Sequence, residues 1–321
     1  MEEYNIIAII GPTASGKTRL AVEIATDING EIISGDSRQV YKWMDIGTGK
    51  DLVEYNRPSG NVQYHLIDIV LPLEDYNLFR YINDFKNAYR DVISRKRIPI
   101  LCGGSGLYIE SALKGYNLPD APEDKALRER LDDLSKEELI EILQRESSEV
   151  YFSTDLSSKR RIIRGIEIAR YMKFNESPKI QENLRLKPLI IGISIPREEL
   201  IKRIDKRLDQ RLKEGMIEEV KMLLDRGVTY QKLYKLGLEY RYCAMYLQNE
   251  IDLDEMMTKL KTEIHRFAKR QMTWFRGMER RGLKINWINE ANPLLAMELI
   301  KEIAFVYNKC YFTPLPLKKA L

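Results

Sequence analysis

Two hydrophobic periods alternate along the N-terminal part of the chain. Ile6-Ile7-Ala8-Ile9-Ile10 is an unbroken apolar run rich in β-branched residues, the pattern of a parallel strand buried on both faces. A few positions on, Leu20, Ala21, Ile24 and Ala25 recur at helical spacing. Glu31-Ile32-Ile33-Ser34-Gly35 then reads as a second strand and His65-Leu66-Ile67-Asp68-Ile69 as a short one. Asn77 to Ser94 carries Phe79, Ile82, Phe85, Ala88, Tyr89 and Val92 on one face and predicts a helix. Ile98 to Cys102 is another buried strand, with its proline near the start. Strands alternating with amphipathic helices predict a parallel α/β sheet flanked by helices.

The pattern changes at Leu118-Pro119-Asp120-Ala121-Pro122, a turn-like linker. From Glu123 to about Lys187 it is helical and strongly charged, and Ser135 with Glu138 has capping-box form. Leu189 to Pro196 returns to a buried strand, and Arg197 to Arg226 is a long amphipathic stretch punctuated by Gly215 and Gly227. The expected organisation is a core of residues 1–117 and 188–321, interrupted by a mainly helical insertion at 118–187. The tail after Asn292 shows no interpretable pattern.

Composition narrows the class without selecting it. The 321 residues are 44% hydrophobic and 31% charged, as in an ordinary globular protein long enough for a large core. No apolar run approaches a membrane span, and Glu2 and Glu3 argue against a secretory signal. Cys102, Cys243 and Cys310 are widely separated and there are only two histidines. A Cys/His zinc site is not expected, and reduced thiols fit the cytoplasm. The net charge of +4 says less than where the cations cluster.

The chemistry begins between the first strand and helix. Gly11-Pro12-Thr13-Ala14-Ser15-Gly16-Lys17-Thr18 is a complete G-x-x-x-x-G-K-[ST] loop in its strand–loop–helix setting. Such a loop turns successive N–H groups and a helix N-terminus onto a phosphate. Lys17 adds a full charge, and the Thr18 hydroxyl is placed to ligate Mg²⁺. Asp36 follows the second strand, at the sheet edge where ligands of open α/β folds bind. It reads either as a proton acceptor or as a ribose-binding carboxylate. Asp68 reads equally as a Walker-B-like metal ligand or as a structural carboxylate. Gly103-Gly104-Ser105-Gly106 lets backbone and a hydroxyl approach the same edge.

Cations gather in three further places. Lys159, Arg160, Arg161 and Arg164 lie on one basic helix face, and Arg203, Arg207 and Arg211 recur every four residues. Met257 to Ile285 interleaves nine lysines and arginines with Phe267, Trp274 and Phe275, and Trp287 follows just beyond. Phosphates suit such cations and base faces suit such rings. A P-loop kinase, an RNA-binding module with a nucleotide switch, and a transferase that expels diphosphate with RNA as acceptor all remain open. The last joins the cradle, the carboxylate and the basic-aromatic segment in one scheme.

Taken together, Gly-Pro-Thr-Ala-Ser-Gly-Lys-Thr (11–18), Asp-Ser-Arg-Gln-Val-Tyr (36–41), Met-Asp-Ile-Gly-Thr (44–48) and His-Leu-Ile-Asp-Ile (65–69) resemble the tRNA dimethylallyltransferases. Gly-Gly-Ser-Gly-Leu-Tyr (103–108), Arg-Arg-Ile-Ile-Arg (160–164) and Ala-Lys-Arg-Gln-Met-Thr-Trp-Phe-Arg (268–276) continue the resemblance in order. It implies a P-loop NTPase-like fold. It also implies transfer of a dimethylallyl group from its diphosphate to N6 of the adenosine 3′ of the anticodon, in tRNAs reading codons that begin with U. Dimethylallyl diphosphate and the tRNA anticodon stem-loop would be the partners, Mg²⁺ the cofactor, and the chain a cytoplasmic monomer.

The resemblance implies roles for particular residues. Residues 11–18 would bind the diphosphate; Asp36 would accept the amine proton, with Thr13, Lys17 and Ser105 completing the catalytic set. Asp36, Ser37, Arg38, Gln39 and Ser105 would meet the target nucleotide. Arg160, Arg161, Arg164, Arg270, Trp274 and Arg276 would meet the rest of the RNA. The chain departs from the family at Ser105, usually Thr, and at Tyr64-His65, usually a double histidine. The family's Gly-Tyr-[Arg/Lys] segment is replaced around Leu236-Gly237-Leu238-Glu239-Tyr240-Arg241-Tyr242.

Overall fold

The computed structural model describes residues 4–56, 60–116, 119, 121–175 and 184–304. Leu118 and Asp120 of the linker, and Cys310, lie outside the described residues. The chain divides into two compact units: Met1–Gly115 with Arg185–Leu321, and Tyr116–Leu184.

The first unit begins with β1 (Ile6–Ile10), α1 (Lys17–Ile28), β2 (Gly30–Ser34), β3 (Tyr64–His65), α2 (Leu78–Ser94), β4 (Ile98–Gly103) and α3 (Gly106–Lys114). The second unit holds α4 (Lys125–Asp132), α5 (Lys136–Glu146), α6 (Ser148–Ser153) and α7 (Lys159–Phe174). The first unit then resumes with β5 (Pro188–Ser194), α8 (Arg197–Lys213), α9 (Met216–Asp225), α10 (Tyr230–Leu236) and α11 (Leu238–Leu247). It continues through α12 (Leu253–Arg280), β6 (Ile285–Asn289) and α13 (Pro293–Ala304).

The six strands form one sheet in the order β3-β2-β4-β1-β5-β6, every pairing parallel. β1 lies between β4 and β5, all five of its residues buried, which is what its continuous apolar run requires. Strand direction carries Gly11, Gly35 and Gly104, the residues that follow β1, β2 and β4, to one carboxyl edge. Room for this is made by missing side chains. A Cβ on Gly103 would lie 2.4 Å from the carbonyl oxygen of Gly35, so the ends of β2 and β4 touch backbone to backbone.

Several elements differ from expectation for local reasons. The predicted strand over 65–69 stops at His65, because Leu66 and Asp68 take left-handed φ values of 62° and 58°. Asp68 instead pairs with Lys50, a fully buried lysine that also meets Asp45, which gives it the structural role of the two considered. On α2, Phe79 is only half-buried, and Tyr81 is the ring that enters the core. The amphipathic stretch from Arg197 breaks into α8 and α9 at Gly215, φ 99°. The tail after Asn292 contains α13, which packs on α1.

In the second unit, Leu127, Leu131, Leu139, Leu143, Ile162 and Ile166 form a separate core. The capping box of Ser135 and Glu138 is present. Glu167 is buried there and receives Arg128 and Arg164, so part of the basic face of α7 is tied inward.

One buried carboxylate fixes the loop after β2. Glu219 on α9 accepts the backbone N–H groups of Asp45, Ile46 and Gly47 at 2.8, 2.7 and 3.0 Å, and the Tyr240 hydroxyl at 2.7 Å. Glu219→Ala strands all four donors; it should lower stability by on the order of 3–5 kcal/mol, read as a fall in the urea midpoint at constant m-value.

Candidate active site

The loop after β1 is shaped by two left-handed residues, Ala14 (φ 58°) and Gly16 (φ 82°). Leu20 N–H is bonded to Gly16 C=O, so the N–H groups at the start of α1 have no helical acceptor and face the loop's interior. Ser15 Oγ is buried there with no hydrogen-bond partner among the described residues. A buried hydroxyl without a partner, beside free N–H groups, fits an anionic oxygen. Lys17 Nζ donates to Pro12 C=O at 2.8 Å, and burial pushes its pKa down. A phosphate would relieve that desolvation by supplying the missing counter-charge.

Beside the loop lies a cavity of about 340 Å³. Of the residues singled out from the sequence, Thr13, Lys17, Thr18, Asp36, Ser37, Arg38, Gln39 and Ser105 line it. Asp36 Oδ1 accepts the Arg38 N–H at 2.8 Å, while Oδ2 takes no hydrogen bond among the described residues. Ser105 Oγ accepts the Ser37 N–H at 3.0 Å and joins the loops after β2 and β4. Arg38 is held by Lys235 C=O at 2.8 Å, and Gln39 by Gly49 C=O at 3.1 Å. Cys102 borders the cavity as a neutral thiol, its pKa pushed up to about 12 by burial.

Other expected residues fall elsewhere. Gly11, Pro12, Ala14, Ser15 and Gly16 form the loop itself rather than the cavity wall. Trp274 packs on Gly106, and its indole N–H donates to Glu110 at 3.0 Å. Arg270 and Arg276 are exposed on α12, while Phe275 is buried in the core. Arg160, Arg161 and Arg164 belong to the second unit, where Arg161 pairs with Asp155 and Arg164 also holds Ala121 C=O at 2.7 Å.

Sequence reasoning missed Gln271. This buried side chain on α12 accepts the Thr13 N–H at 2.9 Å and donates to Gly104 C=O at 2.9 Å. One amide thus ties the phosphate loop to the glycine loop. Its signal was a lone uncharged polar residue on the inward face of a cationic helix. Of the three arginines spaced along α8, Arg207 and Arg211 line the cavity, whereas Arg203 pairs with Glu199 and Glu290.

This fold and site define a protein of P-loop NTPase-like fold, with a cavity that opens at the end of its glycine-rich loop. The chain belongs to the IPP transferase family: the model of that description matches residues 39–278, and one described as isopentenyl transferase matches 4–57. It is similar to tRNA dimethylallyltransferase 2 of Phocaeicola vulgatus, 49% identical over 294 residues, 92% of this chain and 95% of that protein. The protein of the same name in Porphyromonas gingivalis is 51% identical over 288 residues, 90% of this chain and 95% of that one. Among solved structures, the tRNA isopentenylpyrophosphate transferase of Bacillus halodurans is 32% identical with a TM-score of 0.66, covering 96% of this chain and 97% of that one. A eukaryotic dimethylallyltransferase acting on tRNA shares the fold at a TM-score of 0.73 and 23% identity, over 99% of this chain and 82% of that one.

Gln271→Ala removes the partner of one part-buried N–H and one buried C=O. It should lower stability by about 2–3 kcal/mol, and amide hydrogen exchange at Thr13 should quicken at least about tenfold, as measured by mass spectrometry.

Proposed function

We propose that this chain transfers the dimethylallyl group of dimethylallyl diphosphate to N6 of the adenosine 3′ of the anticodon, in tRNAs reading U-starting codons. One observation carries the reading: the phosphate-loop residues Thr13, Lys17 and Thr18 and the carboxylate of Asp36 face the same cavity. The loop N–H groups and Lys17 receive the negative charge that grows as the allylic C–O bond breaks, and diphosphate departs. The exocyclic nitrogen forms the new N–C bond and releases its proton to Asp36 Oδ2. Leu236, Leu238, Ile264 and Phe267 supply an apolar wall for the isoprenoid.

Thr13 and Ser105 hold the reacting groups, with Ser37, Arg38 and Gln39 forming the shelf for the displaced base. Arg270 and Arg276 on α12, and Arg160 and Arg161 on the helical unit, are exposed cations suited to RNA phosphates. Arg164 and Trp274, the other two residues assigned to the RNA, are part-exposed and are held in place by Glu167 and Ala121 C=O and by Glu110.

A cation fits this donor set. The Thr18 hydroxyl lines the cavity beside Lys17 and would hold Mg²⁺ together with water and substrate oxygens. When bound, the ion supplies counter-charge to the diphosphate. The kinase alternative lacks its acidic strand end, since β4 runs into Gly103-Gly104 and Asp68 is engaged by Lys50. Among the described residues no helix is long and apolar enough to cross a membrane. The working form is read as a cytoplasmic monomer.

Asp36→Ala should reduce prenyl transfer at least about a thousandfold while tRNA affinity stays within a few-fold; near-normal turnover of labelled dimethylallyl diphosphate would remove Asp36 as the base. The tRNA dissociation constant should rise steeply with salt, and replacing Arg270 and Arg276 together by Ala should flatten the log–log slope by roughly two. A salt-independent affinity would remove the phosphate contacts.

A further inference from the structure

The cavity contains an ion pair that the reaction scheme leaves unused. Arg211, on α8, donates to Glu239 Oε1 at 3.2 Å and to Gly47 C=O at 3.5 Å. Arg211 is buried, Glu239 is enclosed beside it, and both line the cavity that the phosphate-loop residues face. A Cβ on Gly49 would fall 1.7 Å from Arg211 Nη2, so the loop after β2 gives up a side chain to admit this guanidinium.

Packing alone does not account for the pair. Burial of two opposite charges returns little net stability, because desolvation offsets most of their attraction. The desolvation is visible here: burial pushes Arg211 down and Glu239 up, each against the pull of its partner. Arg207 lies one helical turn earlier and its charge also acts on Arg211, as does Asp51, to which Arg207 is bonded. Two guanidiniums thus stand together, Arg207 paired with Asp51 and Arg211 with Glu239.

We propose that Arg211 is a binding residue for the diphosphate of the prenyl donor and that Glu239 is the positioning residue that aims it. The proposal deepens the transferase reading and rests on it. Arg211 would share the leaving diphosphate with the phosphate loop, and Glu239 would hold the planar guanidinium in register while the cavity is empty.

The test is calorimetric titration with inorganic pyrophosphate, followed by steady-state kinetics with both substrates. Arg211→Gln should weaken pyrophosphate about tenfold and raise KM for dimethylallyl diphosphate by a similar factor, leaving KM for tRNA unchanged. Glu239→Ala should weaken pyrophosphate about threefold in the presence of Arg211 and cause no further weakening in Arg211→Gln, since its effect passes through the arginine. A folded Arg211→Gln protein with unchanged pyrophosphate affinity, or with only KM for tRNA raised, overturns the proposal. Should Arg211→Gln fail to fold, Arg211→Lys keeps the charge but loses the fork, and is expected to bind pyrophosphate several-fold more weakly; unchanged affinity in that variant also overturns it. Unaltered protein that ignores pyrophosphate overturns the cradle reading and this inference together, whereas normal binding that Arg211 substitutions do not alter overturns this inference alone.

Discussion

Backbone contact between two strand ends is the constraint on which the site depends. β2 and β4 meet at Gly35 and Gly103 with no side chain between them, which draws the loops carrying Asp36 and Ser105 together. β1, the next strand along, delivers the phosphate loop to the same edge. A wider spacing would place the Asp36 carboxylate and the glycine-rich loop in separate clefts rather than in one cavity. The chemistry is ordinary; the proximity is what the fold contributes.

Much of this was legible because it is local. A strand buried on both faces, a glycine loop and a helix start each leave a signature within a few residues, so β1, the phosphate loop and α1 could be placed from the sequence. The position of Asp36 followed from the general rule for parallel sheets. The end of β3 was not legible, because nothing in Leu66 or Asp68 announces a left-handed backbone; the buried Lys50 that fixes Asp68 there lies outside the local pattern.

The long-range contacts were illegible for the same reason. Gln271 reaches Thr13 and Gly104, Glu219 reaches three amides of the loop after β2, and Trp274 and Arg281 converge on buried Glu110. In a cationic, aromatic segment, periodicity separates inward from outward residues. It does not reveal which inward polar groups have partners far along the chain. Trp274 is the instructive case, since nothing in the local sequence announces that its indole N–H is bonded to Glu110, 164 residues earlier.

The tether between Thr13 and Gln271 joins positions 258 residues apart, across an inserted unit that packs around its own core. A ribosome releases the phosphate loop early and Gln271 late. Until α12 emerges, the nascent polypeptide therefore carries the loop without its tether. The cavity is completed only when α12 brings Ile264, Phe267 and Gln271 to a motif made long before, so a chain cut ahead of that helix would bear the signature of the loop with one wall of its cavity missing.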